Sequence, residues 1–226
     1  IYYNYKALDD LPYTIRANFG TVIVASLFGA KIRFSKGVPP WATGHGDVQK
    51  YLEVGRLELN RGICKKVIDR YRFYKEVFSE YPSVKHSVSL VMPDLQGPID
   101  IAEQIVGSDV YLWMMKKPKV VHDLLAKISE VIISCANVIR PYTDEHLPLG
   151  YTHQHGVVIK GNILIREDSA INLSPTMYEQ QIIPHNKQII HALDGGGLHF
   201  CGNGQHLIPT MLHHPEVQCI DFGQSQ

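Results

Sequence analysis

Cysteine is scarce in this chain. Four residues, Cys64, Cys135, Cys201 and Cys219, are spread along it without the dense spacing of a disulfide-stapled secreted domain. A reducing, cytoplasmic setting is expected. No run of about 18 apolar residues occurs, and Ile1-Tyr2-Tyr3-Asn4-Tyr5-Lys6 lacks the basic-then-apolar layout of a secretory signal, so no membrane partner is expected. Neither sign of charge is in excess. The 22 lysines and arginines balance 22 aspartates and glutamates, which argues against a basic nucleic-acid footprint or a polybasic membrane patch. Low-complexity tracts and short repeats are also missing. What is present suits an ordinary globular protein with a small-molecule partner: 226 residues, 45% hydrophobic and 19% charged, read as one domain over 1–226. The start at Ile1 and the absence of a natural stop at Gln226 lead to the expectation that the ends are incomplete.

The clearest periodicity follows Pro118, where Val120, Val121, Leu124, Leu125, Ile128, Val131, Ile132, Cys135 and Val138 recur at the spacing of one helical face. Pro118 suits the first turn. Upstream, Ser87 to Met92 reads as a strand that breaks at Pro93-Asp94-Leu95-Gln96-Gly97-Pro98, followed by a helix from Ile99 to Val106. The order repeats as a strand over 162–166, a polar loop over 167–175, and a helix over 176–193 bent by Pro184. It repeats again as a strand over Leu198 to Cys201, a short helix over 206–213, and a strand over Val217 to Phe222. Nearer the start, Thr21 to Phe28 and Ala30 to Phe34 straddle Gly29 as a predicted hairpin, and 47–78 reads as mostly helical. Alternating strands and helices imply a parallel sheet of the α/β class.

Four segments carry residues suited to chemistry. In His199-Phe200-Cys201-Gly202-Asn203, the imidazole and the thiolate point to one face of a strand and are both good zinc ligands. Two ligands do not complete a site, and the alternative is a buried cysteine beside a hydrogen-bonded histidine. In Arg166-Glu167-Asp168-Ser169, Asp168 is the candidate catalytic group, as a general base, a substrate partner or a support for a metal ligand. Ser174 before Pro175 reads as a helix cap. In Tyr151-Thr152-His153-Gln154-His155-Gly156, His153 and His155 stand at strand spacing and can supply a further ligand or grip a substrate; the alternative is two exposed loop histidines. Asp94 and Gln96 occupy a rigid turn and are further candidates for substrate binding, as is Asn203. Cys219 reads as core.

Taken in order, Asp94-Leu95-Gln96-Gly97-Pro98-Ile99-Asp100-Ile101-Ala102, the helix after Lys117-Pro118, Asp168-Ser169 through Leu173-Ser174-Pro175, and Leu198-His199-Phe200-Cys201-Gly202-Asn203 resemble the uroporphyrinogen decarboxylase superfamily over roughly residues 85 to 226. The resemblance implies a (β/α)8 TIM-type barrel, incomplete in this chain, with its site at the C-terminal ends of the strands. The His-x-Cys-Gly-Asn segment is similar to the zinc strand of the superfamily's methyltransferases. It implies Zn2+ on His199 and Cys201, a corrinoid methyl carrier, a corrinoid protein as partner, and methyl transfer to a thiol. It also implies a further cysteine ligand, and none follows Cys219. The superfamily's other activity, decarboxylation of a carboxylated tetrapyrrole, implies an arginine-lined mouth, for which Arg16 is the nearest match. A non-catalytic barrel that holds a ligand without turning it over is the remaining alternative.

Overall fold

Prolines and glycines set where the helices begin. Pro82, Pro98, Pro118 and Pro175 each stand in a first turn, where the missing N–H costs nothing and φ is already helical. The computed structural model describes residues 6, 13–44, 46–53, 55, 57–144, 147–154 and 156–223. Within them the chain runs β1 (Thr14–Ile15), α1 (Ile23–Leu27), β2 (Lys31–Ser35), β3 (Val38–Thr43), α2 (Val48–Glu53), α3 (Gly62–Glu80), α4 (Pro82–Ser87) and β4 (Ser89–Leu90). It continues through α5 (Pro98–Val106), α6 (Asp109–Lys116), α7 (Pro118–Ile139), β5 (Tyr151–Gln154), β6 (Val157–Lys160) and β7 (Ile163–Arg166). A 3-10 turn (Asp168–Asn172), α8 (Pro175–Gln181), α9 (Ile183–Ala192), β8 (Gly196–Phe200), α10 (Ile208–Leu212) and β9 (Val217–Phe222) follow.

Most of the predicted face of α7 is buried, namely Val121, Leu124, Leu125, Ile128, Val131, Ile132 and Cys135, whereas Val120 is half-buried and Val138 exposed. Each such aliphatic side chain removed from water contributes about 1.5–3 kcal/mol before ordering entropy is subtracted. This face packs on α5 and α9, and one hydrophobic cluster runs from Ala17 to Met211. No helix among the described residues is long and apolar enough to cross a membrane.

The expected TIM-type barrel is not what forms. The strands make small separate sheets: β1 with β4 in parallel, β2 with β3 and β5 with β6 as antiparallel hairpins, and a parallel sheet in the order β7-β8-β9. No closed barrel is present among the described residues. The reason lies in the turn after β4. Pro93 and Pro98 have no N–H to give to a ladder, and Gln96 adopts φ 57, so the chain between them cannot pair as a strand. A backbone link from this turn to β7 is the Gly97 N–H donated to the Arg166 carbonyl at 2.5 Å, one bond where closure needs a continuous ladder.

Other elements differ more locally. The run Ile23-Val24-Ala25-Ser26-Leu27 is helical in α1, and the hairpin lies one element later in β2 and β3. A short, mostly buried apolar run carries no period to separate helix from strand. The helix expected over 176–193 divides at Ile182, with Pro184 opening α9. The loop expected after β7 is wound into the 3-10 turn. Ser174 caps α8 by accepting the Met177 N–H at 3.2 Å.

Candidate metal centre

Three parallel strands bring the site together. The β7-β8-β9 register sets Arg166 beside His199 and His199 beside Asp221. His199 is the fourth residue of β8, Cys201 follows the end of that strand, and Asp168 opens the 3-10 turn that follows β7. Cys201 Sγ lies 3.6 Å from His199 Nε2, and Asp168 Oδ1 lies 3.9 Å from the same nitrogen. One ligand atom from each of Asp168, His199 and Cys201 falls within 4.8 Å of the others. Ligands held around a tetrahedral zinc at ordinary bond lengths stand roughly 3.3–3.8 Å apart, so the spacing suits one ion with little adjustment.

The neighbours favour that use. His199 Nδ1 and Asp221 Oδ2 are 2.7 Å apart. A carboxylate at that nitrogen fixes the tautomer and leaves Nε2 for a metal. The Cys201 backbone N–H donates to Asp168 Oδ1 at 2.7 Å, which steers the carboxylate toward the pair. Gly223 supplies room: a Cβ there would stand 2.2 Å from Cys201 Sγ and 3.3 Å from His199 Nε2. A glycine is needed at this position for close approach to the site, and its φ is not in the left-handed region.

Buried charge anchors the surroundings. The Asp100 carboxylate, from α5, accepts the backbone N–H groups of Asp168 at 3.1 Å and Ser169 at 2.8 Å. Burial pushes its carboxyl well above the usual range, with the Ser169 hydrogen bonds opposing. Glu167 is fully buried behind the site, held by the Tyr178 hydroxyl and by the Asn186 amide at 2.7 Å. Burial raises its carboxyl to about 7, again against those hydrogen bonds. On the other side Arg166 Nε pairs with Asp94 Oδ1 at 3.0 Å, both side chains almost fully buried. Burial draws the Arg166 guanidinium below its ordinary value, Asp94 opposing and Arg16 adding to the fall.

Of the residues singled out in the sequence, Asp168, His199 and Cys201 converge. Asp94 and Gln96 lie next to them as a buried pair, Gln96 Nε2 donating to Asp94 Oδ1 at 2.8 Å, and Gln96 also lines a cavity beside Asp168. His153 is buried on β5, opposite Val158 of the hairpin, and is not part of the converging group. Asn203 is exposed in the turn after β8. His155 lies outside the described residues. Cys219 is half-buried rather than core, its thiol pushed up to about 11 by burial. Sequence reasoning missed Asp221 and Gly223, and gave no role to Asp100 within the segment that carries the resemblance. The only signal for Asp221 was its place one residue before the end of the last predicted strand, and that becomes informative only with the β8-β9 register. No known protein family and no curated protein matches this chain, so the resemblance to the uroporphyrinogen decarboxylase superfamily rests on its own residues.

Proposed function

We propose that this chain is a zinc-dependent methyltransferase that moves a methyl group between a corrinoid and a thiol, the activity its His-x-Cys-Gly-Asn segment implies. Asp168, His199 and Cys201 would hold the ion. A zinc ion on three protein ligands keeps an open position, where it binds a thiol and lowers its pKa so that the thiolate is the nucleophile. The observation that carries the reading is the convergence of these oxygen, nitrogen and sulfur donors within 4.8 Å, with Asp221 at the far nitrogen of His199. In the place of the further cysteine that the resemblance implied, Asp168 offers an oxygen.

Decarboxylation of a carboxylated tetrapyrrole finds less support. Arg166 is 2% exposed and tied to Asp94, so its guanidinium is not offered to a substrate's carboxylates.

Zinc stoichiometry by elemental analysis, on protein stripped with a chelator and reloaded, tests the proposal alongside Cys201→Ser. About one zinc per chain is expected, falling to background in the variant because a hydroxyl is a far poorer ligand than a thiolate. Methylcobalamin with a panel of thiols should then give thioether with the wild type and at least about 100-fold less with Cys201→Ser. Unchanged zinc in the variant would remove Cys201 from the site. Zinc binding without turnover would point to a protein that holds its ligand and does not transform it.

A further inference from the structure

Charge balances over the whole chain but not along it. Residues 31–75 hold 11 of the 22 lysines and arginines and 4 of the 22 aspartates and glutamates. Part of that excess gathers at the β2-β3 hairpin and the adjoining α3. The hairpin is a sheet of two strands. Its inner strand, β3, packs on α5 and carries Pro39 and Pro40, which have no N–H. β2 is the outer strand. Every residue from Lys31 to Ser35 keeps its N–H, and the strand's partner among the described residues is β3 alone. Its alternate N–H and C=O groups therefore face outward with no strand to receive them. Lys31 and Arg33 share a face, opposite Thr43 and Trp41, and Lys36 follows in the turn. Lys66 Nζ of α3 sits 5.4 Å from the centre of the Phe34 ring, and Arg70 lies one helical turn on. All five cations are exposed. None of them pairs with a carboxylate among the described residues, whereas Lys65 and Arg72 share Asp69.

An open strand edge that carries a row of unpaired cations selects one kind of partner. A second copy of β2 would set Lys31, Arg33 and Lys36 against like charges, which disfavours the pairing of two such strands. A nucleic acid or an anionic membrane would meet the charges but leave the outward N–H and C=O groups unmatched. An extended polypeptide meets both. Its backbone continues the ladder, and carboxylates at every second position fall on one face, beside Lys31 and Arg33. We infer that the outer edge of β2 receives an acidic, extended segment of a partner protein as a third strand. The Trp41 indole, 70% exposed beside Arg33, and the Phe34 ring, 56% exposed, add aromatic contact of the kind that anchors protein interfaces. This docking needs no metal and does not depend on the proposed methyl transfer.

Fluorescence anisotropy with labelled peptides, titrated with the full chain, tests this. The probes are repeats of Glu-Val, Gln-Val and Lys-Val, together with a Glu-Val repeat whose backbone is N-methylated at alternate residues. The Glu-Val peptide is expected to bind, the Gln-Val peptide at least about tenfold more weakly, and the Lys-Val peptide not measurably. The N-methylated peptide keeps every charge but loses the donors of the ladder, and should also bind at least about tenfold more weakly than its parent. Lys31→Glu combined with Arg33→Glu should weaken the Glu-Val peptide at least about tenfold and confer binding of the Lys-Val peptide, a gain that an unfolded variant would not show. Its zinc content should stay unchanged, since neither residue is a metal ligand. An N-methylated peptide binding as tightly as its parent would overturn the inference, as would a double variant that keeps full affinity for the Glu-Val peptide. Oligodeoxythymidine or phosphatidylserine vesicles binding more tightly than the acidic peptide would overturn it in favour of a general polyanion surface.

Discussion

His199 has one ring nitrogen committed and one to give. Its Nδ1 is held by Asp221 at 2.7 Å, so Asp221→Asn exchanges a carboxylate for an amide at the group that orients the ligand. We expect zinc affinity to fall about 10–100-fold in that variant, with the fold retained. Competition with a chromophoric chelator measures it, and an unchanged affinity would mean that Asp221 does not act on the metal. A second histidine behaves differently. His185 is 3% exposed, and burial first, then the neighbouring His122, lowers its pKa from 6.5 to about 4. The folded state therefore prefers the neutral ring more strongly than the unfolded chain does. Stability present above pH 6.5 is lost as pH falls through the window down to about 4, by roughly 3 kcal/mol in all. Urea midpoints recorded across that window should fall less steeply in His185→Leu than in the wild type, and parallel curves would show that this histidine is not the group that titrates.

At the scale of elements, the metal centre belongs to the β7-β8-β9 sheet and to the chain just beyond its strands. Neighbouring parallel strands place successive residues at fixed spacing, which is how Asp221, distant from His199 in sequence, comes to sit beside it. The segment after β9 closes over the site: the Gly223 N–H donates to the Phe200 carbonyl at 3.0 Å, and no side chain intrudes. Gly223→Ala would set a methyl group 2.2 Å from Cys201 Sγ. We expect zinc content to drop sharply while the unfolding free energy from urea denaturation changes by no more than about 1 kcal/mol, because Gly223 is exposed. Full zinc occupancy in Gly223→Ala would mean that the ion, if bound, sits elsewhere. The pattern was readable in α7, where seven buried residues repeat at helical spacing over a long segment. It was not readable in α1, where five residues with four buried carry no distinguishing period.

Across the whole molecule, the turn after β4 and the end of β7 are joined by charge as well as by backbone. The Arg166–Asp94 pair is nearly excluded from water, and removing one partner of such a pair leaves an uncompensated charge in the interior. Asp94→Asn should cost about 3–5 kcal/mol, and combining it with Arg166→Met should recover a good part of that loss, since no buried charge is then left unmatched. Chemical denaturation of both variants checks this; a double variant as unstable as the single one would show that the pair itself, not the stranded guanidinium, supplies the stability.

Local chemistry was legible in the chain alone. The helix-opening prolines, the cap at Ser174, the strand over Ile163–Arg166 and the shared face of His199 and Cys201 depend on residues close in sequence, where sterics and side-chain period decide. Asp168 could be singled out for the same reason, although its role as a third donor could not, because that depends on the distance between two different strand ends. The division of the strands into small separate sheets, the Asp221 contact and the room left by Gly223 were settled by long-range pairing. Such pairing is governed by which backbone donors remain available and which elements meet: Pro93 and Pro98 lack an N–H, and the left-handed Gln96 turns its own N–H to Asp94 Oδ1 at 3.2 Å rather than to a neighbouring strand.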